Sequence, residues 1–359
     1  MERKKALIGM SGGVDSSVAA LLMQRAGFDC IGVTMRLYAP PDAEGGSTCC
    51  GLDDVEDARG VARHLGIPHY AFNFKEEFRC QVMDPFVQSY LSGSTPNPCI
   101  ACNRYLKFGA LMQRARELGC DCVVSGHYAR VEQDHATGRY LLKRAADSAK
   151  DQTYFLACLT QEQLAAIRFP LGELTKVQVR ALAEENGLLN ARKHDSQDIC
   201  FVPDGDYTRF LADYTGREPI PGDFLDLNGR VVGRHRGTVC YTIGQRKGLN
   251  LAMGAPVYVC GKDMAANTVT VGPNEALFSR GLLADDWFWF PFPALTEPLR
   301  VTAKIRHSQF DKPATVIPEA DGLARVVFDE PQRAITPGQA VVLYQGDTVI
   351  GGGTITQAL

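Results

Sequence analysis

Two groups of residues in this chain have the types and spacing to do chemistry. The first is the run Gly9-Met10-Ser11-Gly12-Gly13-Val14-Asp15-Ser16-Ser17, set between a short apolar stretch and an amphipathic one. Its paired glycines let the backbone turn sharply and approach a ligand closely. A helix opening straight after them presents unbonded N–H groups and the positive end of its dipole, which suits a phosphate. The serine hydroxyls add donors, and Asp15 is placed to orient a Mg²⁺ ion bound to the phosphates. The Gly-Lys-Ser/Thr ending of the kinase-type loop is absent.

The second group is cysteines. Thr95-Pro96-Asn97-Pro98-Cys99-Ile100-Ala101-Cys102-Asn103-Arg104 is a proline-stiffened turn carrying a Cys-x-x-Cys ahead of a basic helix. Cys102 falls near that helix's N-terminus with Arg104 and Lys107 close in sequence, a setting that lowers a thiol pKa. Far away, Asp195-Ser196-Gln197-Asp198-Ile199-Cys200 puts a single cysteine in a polar loop. By residue type alone a Cys-x-x-Cys is as often half a zinc site, and a cysteine before Phe201-Val202 is more often a core residue. The remaining cysteines, including the Cys49-Cys50 pair and Cys120/Cys122, read as structural.

Elements must carry these residues. The spacing predicts strands at 6–10, 30–37, 67–73 and 122–125. It predicts helices at 16–26, closed by Gly27, and at 53–65, stopped by Gly66 and Pro68. Further helices are expected at 78–91 and 104–118, and Thr175-Lys176-Val177-Gln178 opens another with a capping box. Strands alternating with helices imply an α/β domain with a mostly parallel sheet, covered on both faces. His127, just after a strand, then falls at the crevice where such sheets bind ligands. Beyond about Pro219 the pattern changes. Asn228-Gly229 between two strand-like runs signals a hairpin, and short alternating runs after Gly281 read as a small antiparallel barrel or sandwich. The expected division is 1–205, a central linking domain at 206–280 and a C-terminal β-domain at 281–359.

The 359 residues are 45% hydrophobic and 22% charged, ordinary globular composition that excludes wholesale disorder. No apolar run reaches bilayer length, and glycine-rich sequence follows residue 10 at once, which speaks against an export signal. A cytoplasmic setting with reduced thiols is therefore expected for the twelve cysteines. The net charge of −3 does not itself point to nucleic acid, but charge is local. Between Asp226 and Asp263, where there is no Asp or Glu, the basic residues include Arg230, Arg234, Arg236, Arg246 and Lys247. His235 and Tyr241 among them suggest stacking on RNA bases. Arg139, Lys143, Arg144 and Lys150 form a second basic group.

The Ser-Gly-Gly-x-Asp-Ser loop resembles the pyrophosphatase loop of ATP-dependent adenylating enzymes, which transfer AMP to a substrate oxygen so that a nucleophile can displace it. Together the motifs resemble the bacterial tRNA-specific 2-thiouridylases, which place sulfur on C2 of the wobble uridine. The likeness runs through the loop, Met35, Asn97-Pro98-Cys99, Cys102-Asn103-Arg104, Ser125-Gly126-His127-Tyr128 and Lys150-Asp151-Gln152. It continues through Ser196-Gln197-Asp198-Ile199-Cys200-Phe201, Tyr241 to Gly248, Lys304-Ile305-Arg306-His307 and Pro337-Gly338-Gln339.

The resemblance implies an ATP site formed by Gly9, Met10, Ser11, Gly12, Gly13, Val14, Asp15, Ser16, Met35 and Gly126, with Mg²⁺. It implies a target-base site at Asn97, Pro98 and Cys99, and tRNA contacts by His127, Lys150, Asp151, Gln152, Arg306, His307 and Gln339. It further implies Cys200 as persulfide carrier, Cys102 as its partner nucleophile, a Cys102–Cys200 disulfide as product, and a sulfur-relay protein or cysteine desulfurase as donor. No membrane partner is expected. One departure stands out: the family often carries Asp, a candidate general base, where this chain has Cys99. Cys99, Cys102 and Cys200 could instead ligate an iron–sulfur cluster. The alternatives outside the family are another adenylating ligase acting on a small carboxylate or amide, and a metal-binding RNA module. The first has no use for the Cys102/Cys200 pair, the second none for a pyrophosphate site.

Overall fold

The computed structural model describes residues 3–38, 52–193, 199–202 and 204–359. The Cys49-Cys50 pair and the Ser196-Gln197-Asp198 motif lie outside the described residues. The first domain is built on five parallel strands: β1 (Lys5–Gly9), β2 (Asp29–Arg36), β3 (His69–Asn73), β4 (Cys122–Val124) and, after the hairpin β5 (Arg130–Gln133) and β6 (Tyr140–Lys143), β7 (Ile167–Arg168). Their spatial order is β3-β2-β1-β4-β7. Chain direction across the sheet reverses between β1 and β4, so the crevice beyond their carboxyl ends is the ligand position of this architecture. Alternate residues of β1 serve opposite faces, as the strand period requires. Leu7 joins one apolar cluster with Val33 and Val123, whereas Ala6 and Ile8 join another with Cys30 and Val124.

The helices of this domain are α1 (Val14–Arg25), α2 (Leu52–Leu65), the helical runs α3 (75–91) and α4 (98–117), α5 (Thr153–Leu156), α6 (Gln161–Ala166) and α7 (Lys176–Glu185). α1 stops where Gly27 takes φ +86°. The capping box of α7 has both halves, Gln178 N–H donating to Thr175 Oγ1 and Thr175 N–H donating to Gln178 Oε1, an arrangement worth about 1 kcal/mol. In α3 and α4 the ordinary α winding expected from the sequence gives way to π winding over Arg79–Met83 and Cys102–Ala110. Such winding concentrates at functional sites, and the second stretch begins on Cys102.

After α8 (Tyr207–Thr215) a four-stranded sheet follows: β8 (Gly222–Leu225), β9 (Val231–His235), β10 (Tyr258–Asp263) and β11 (Thr268–Gly272). Asp226 Oδ1 accepts from the Asn228 and Arg230 amides, and Gly229 takes φ +78°, closing the expected hairpin. The last six strands are β12 (Phe278–Trp289), β13 (Leu299–Lys304), β14 (Lys312–Pro318), β15 (Ala324–Arg333), β16 (Ala340–Gln345) and β17 (Thr348–Ala358). Pairing of β12 with both β15 and β17 closes them into an antiparallel barrel. Hairpin β5–β6 adds to its outside through β17, where Thr348 pairs with Lys143. The run Gly351-Gly352-Gly353 makes the closure dense. Trp289 and Trp287 lie over Gly351 and Gly353, and a Cβ on Gly352 would stand 2.6 Å from the Ala157 carbonyl oxygen beside α5. The barrel and the parallel-sheet domain are thus packed backbone to backbone.

Candidate active site at the phosphate loop and the cysteine turn

The 9–17 loop leaves β1 and enters α1 at the switch point. Gly12 takes φ +74°, and a Cβ there would meet the Asp54 carbonyl oxygen of α2 at 2.5 Å. Gly13 is the N-cap of α1 and no side chain caps the helix, so its first-turn amides remain for a ligand. Ser16 and Ser17 hydroxyls donate to Gly13 O at 3.0 Å each, and Ser16 Oγ accepts from Ser11 N–H at 3.2 Å. From across the crevice, Gly126 presses on the loop: a Cβ on it would stand 2.7 Å from the Asp15 carbonyl carbon and the Ser16 nitrogen. Only glycine fits that contact. The second strand's Thr34 hydroxyl donates to Met10 O at 2.8 Å and shares a 2.9 Å bond with His69 Nε2. Met35, next along β2, is half-buried.

Three residues to which the sequence reading gave no role at this loop support it. Lys176 Nζ donates to both Asp15 carboxylate oxygens at 2.7 and 2.8 Å. The Tyr128 hydroxyl donates to Asp15 Oδ1 at 2.9 Å. Asn190 Nδ2 donates to Gly12 O and Ser17 Oγ, each at 2.9 Å. The sequence did carry one signal for Lys176. A cation in the first turn of a helix opposes the dipole, so α7 needed a carboxylate from elsewhere. The Asp15 carboxylate is a hard oxygen donor, and Mg²⁺ typically takes one or two carboxylates plus substrate phosphates; this donor set fits that ion.

The cysteine turn is built differently. Asn97 caps α4, its side chain accepting the Cys99 N–H at 3.2 Å, with Pro98 in the first helical position. Cys99 is exposed, Cys102 buried and Cys200 half-buried. Cys102 belongs to the apolar cluster of the parallel-sheet domain, and Cys200 packs against that same cluster. Phe201 fixes the chain beside Cys200 through edge contacts with Phe78 and Phe86 at 5.6 and 5.1 Å between centroids. Among the described residues no three Cys, His, Asp or Glu side chains gather to hold a metal ion, so the geometry lends a cluster on Cys99, Cys102 and Cys200 no support. Burial pushes the Cys30 thiol up to about 11 and the Cys158 thiol up to about 12. Cys120 and Cys122 are raised for the same reason, as structural cysteines should be.

Several residues that the resemblance assigned to tRNA are engaged inside the fold. Asp151 is buried and accepts from Ala145 N–H at 3.0 Å and Thr153 Oγ1 at 2.6 Å. Gln152 Oε1 accepts the Tyr128 N–H at 2.9 Å. His127 is packed between Phe108 and Phe169, bonded to Ser125 Oγ at 2.6 Å, and held well below the usual histidine pKa by burial, then by Lys107. Arg306 donates to Ala334 O and Thr336 Oγ1 at 2.9 and 2.8 Å, and Gln339 Nε2 donates to Thr95 O at 2.8 Å. His307 is exposed and tilted on Phe155 at 4.4 Å, and Lys150 is half-buried. The stacking role suggested for His235 and Tyr241 is corrected: both are 2% exposed and pack on Phe224 in the core of the central domain. Arg230, Arg234, Arg236, Arg246 and Lys247 are exposed.

Comparison with known proteins fits this arrangement. The family model described as a tRNA methyl transferase HUP domain matches residues 4–204, its PRC-barrel domain companion 208–273, and an aminomethyltransferase beta-barrel domain 279–355. The tRNA-specific 2-thiouridylase MnmA of Heliobacterium modesticaldum is 52% identical over 99% of this chain and 94% of its own. That of Clostridioides difficile is 50% identical over 99% of both. The chain belongs to the tRNA-specific 2-thiouridylase family. Among solved structures, a 4-thiouridine synthetase–RNA complex with bound ATP is 19% identical over 56% of this chain and 46% of its own, with a TM-score of 0.35, a loose likeness only. The methyl-transfer wording of the domain models and the thiolation wording of the relatives part company. End-to-end identity near one half gives the relatives the greater weight.

Proposed function

We infer that this chain is an ATP-dependent tRNA uridine 2-thiolase. The observation that carries the reading is identity of about one half to 2-thiouridylases over essentially the whole chain. The open helix end beyond paired glycines supports a pyrophosphate cradle, and the packing of Cys102 and Cys200 against one apolar cluster is compatible with a thiol pair.

In the proposed sequence, O2 of the wobble uridine attacks the α-phosphorus of ATP held on the 9–17 loop, and pyrophosphate leaves. Mg²⁺, held by Asp15, would supply charge neutralisation for the departing oxygens. The terminal sulfur of a Cys200 persulfide attacks C2 and AMP departs, taking the C2–O bond electrons. The Cys102 thiolate then attacks Cys200 Sγ and breaks the sulfur–sulfur bond. The transferred sulfur stays on C2 as a thiocarbonyl, and a Cys102–Cys200 disulfide remains. The two protein thiols supply the two electrons that reduce the sulfane sulfur, and an external thiol reductant resets them. Asn97 and Cys99, at the start of the same helix, are the proposed neighbours of the target base. A sulfur-relay protein or cysteine desulfurase is the proposed donor.

The test is nucleoside mass spectrometry of tRNA after incubation with ATP, Mg²⁺ and a persulfide donor. The expected products are 2-thiouridine, AMP and pyrophosphate; ADP and orthophosphate would sink the reading. Cys200→Ser should lose a detectable persulfide, whereas Cys102→Ser should accept sulfur and fail to transfer it.

A further inference from the structure

A cavity of about 170 Å³ lies where the barrel meets the cysteine turn. Pro96, Asn97, Ala101 and Arg104 of the turn and α4 form one wall, and Asp286 and Phe288 of β12 stand among the barrel residues opposite. Both ends of the α4 wall are fastened to the barrel. At one end the Thr95 N–H donates to Pro337 O at 2.9 Å, and Gly338, at φ +88°, packs so tightly on Thr95 that a Cβ would stand 3.0 Å away. At the other the Arg104 guanidinium forks onto the Asp286 carboxylate while lying 4.5 Å over the Phe288 ring and 5.0 Å from that of Tyr105. Asp286 holds φ +48° within an irregular stretch of β12. A non-glycine residue in that conformation is strained, and strain of this kind collects at ligand sites.

We propose that this cavity is a subsite for one nucleobase of the substrate RNA, next to the target uridine. The proposal rests on the thiolase reading and names a second contact of that same site. Its volume suits a single ring system and not a whole nucleotide. Its chemistry is that of single-strand recognition, with apolar walls, a guanidinium plane lying against aromatic rings, and a fixed acceptor for a base N–H. Each Asp286 oxygen accepts once from Arg104 and keeps a lone pair for a base N–H, and the half-exposed Tyr105 at the rim offers a ring face. Asn97 lines the cavity and also caps the helix that carries Cys99 and Cys102, so a base seated here holds the strand beside the sulfur chemistry.

The test uses the full chain with a set of anticodon stem-loop RNAs, each abasic at one nucleotide flanking the target uridine. Thr354→Phe fills the cavity from β17, and Asp286→Asn removes the charge at constant shape; thermal melting checks that both fold. With wild-type protein, one abasic RNA should bind about 10-fold more weakly, the size expected for losing one stacked base. Against Thr354→Phe or Asp286→Asn that same abasic change should matter little, because the two losses share one contact. Equal penalties in wild type and both variants, or no penalty at any flanking position, would overturn the subsite while leaving thiolation standing. A wild-type protein that thiolates none of the RNAs, tRNA included, would overturn the function and the subsite with it.

Discussion

At the residue scale the phosphate loop was legible because its determinants are adjacent. Glycines, serines and Asp15 sit within nine positions, and local turn and dipole physics say what they do. The sequence showed that Lys176 needed a carboxylate but not that Asp15 is the one, since the two are 161 residues apart and only the fold brings them together. Lys176 keeps the carboxylate aimed and balances its charge before nucleotide arrives. Lys176→Met should therefore slow AMP formation on the order of 100-fold, the scale of one lost electrostatic contact at a reacting phosphate, with tRNA affinity unchanged; AMP release measured with saturating tRNA checks this, and an unchanged rate would refute it. Lys262 makes a second residue-scale case. Its Nζ is buried without a hydrogen-bond partner among the described residues, and burial lowers its pKa from 10.5 to about 8. A base depressed in the folded state weakens folding as pH drops from 10.5 towards 8, because only the unfolded chain takes up the proton, and the full penalty persists below 8. Lys262→Met should stabilise the protein at pH 7 by about 1–3 kcal/mol, the usual penalty of an unsatisfied buried group. The gain should shrink as pH rises above 8. Calorimetric melts at pH 7 and pH 9.5 test both halves.

At the element scale the central strands and α1 are legible as apolar runs bounded by glycines, for β1 and β4 are buried continuously and α1 almost all round. The sequence pattern missed what depends on contact between distant elements. The π winding over Cys102–Ala110 leaves a helical residue pattern intact, so no spacing rule separates it from an α-helix. Tyr241 and His235 looked like exposed RNA contacts because cations flank them, but strand alternation in β9 turns Arg234 outward and His235 inward. Gln339, matched as a tRNA-contact position, and its neighbour Gly338 fasten the Thr95–Asn97 turn to the barrel. The glycine run of β17 is a docking feature of the same kind. Gly352→Val would drive side-chain atoms into Ala157, and overpacking of this sort costs about 1–3 kcal/mol. The melting temperature should fall, and 2-thiouridine formation should fall further than ATP binding, because the barrel would lift from the end of α5. Loss of ATP binding to the same degree would show instead that the first domain itself had been disrupted.

At the scale of the whole molecule a net charge of −3 must coexist with a polyanionic substrate, which requires the positive charge to be segregated. The central domain does this between Asp226 and Asp263, yet its cations are not equivalent. Arg234 already pairs with Asp223 at 3.0 Å, so part of its charge is spent before RNA arrives. Arg236 and Arg246 are exposed. Binding of tRNA should weaken steeply with salt, since each phosphate contact releases condensed counterions. Reversing Arg236 and Arg246 to Glu should weaken binding for all tRNA sequences alike and flatten the salt slope by about one unit per lost contact. Reversing Arg234 should do less, because Asp223 is then left beside a like charge in the free and bound protein alike. ATP affinity should be unchanged in every variant, as the phosphate loop lies in another domain. Filter binding at several salt concentrations distinguishes the outcomes. Equal slopes for wild type and the double reversal would mean that the segment is solvated surface and that tRNA is gripped from another face.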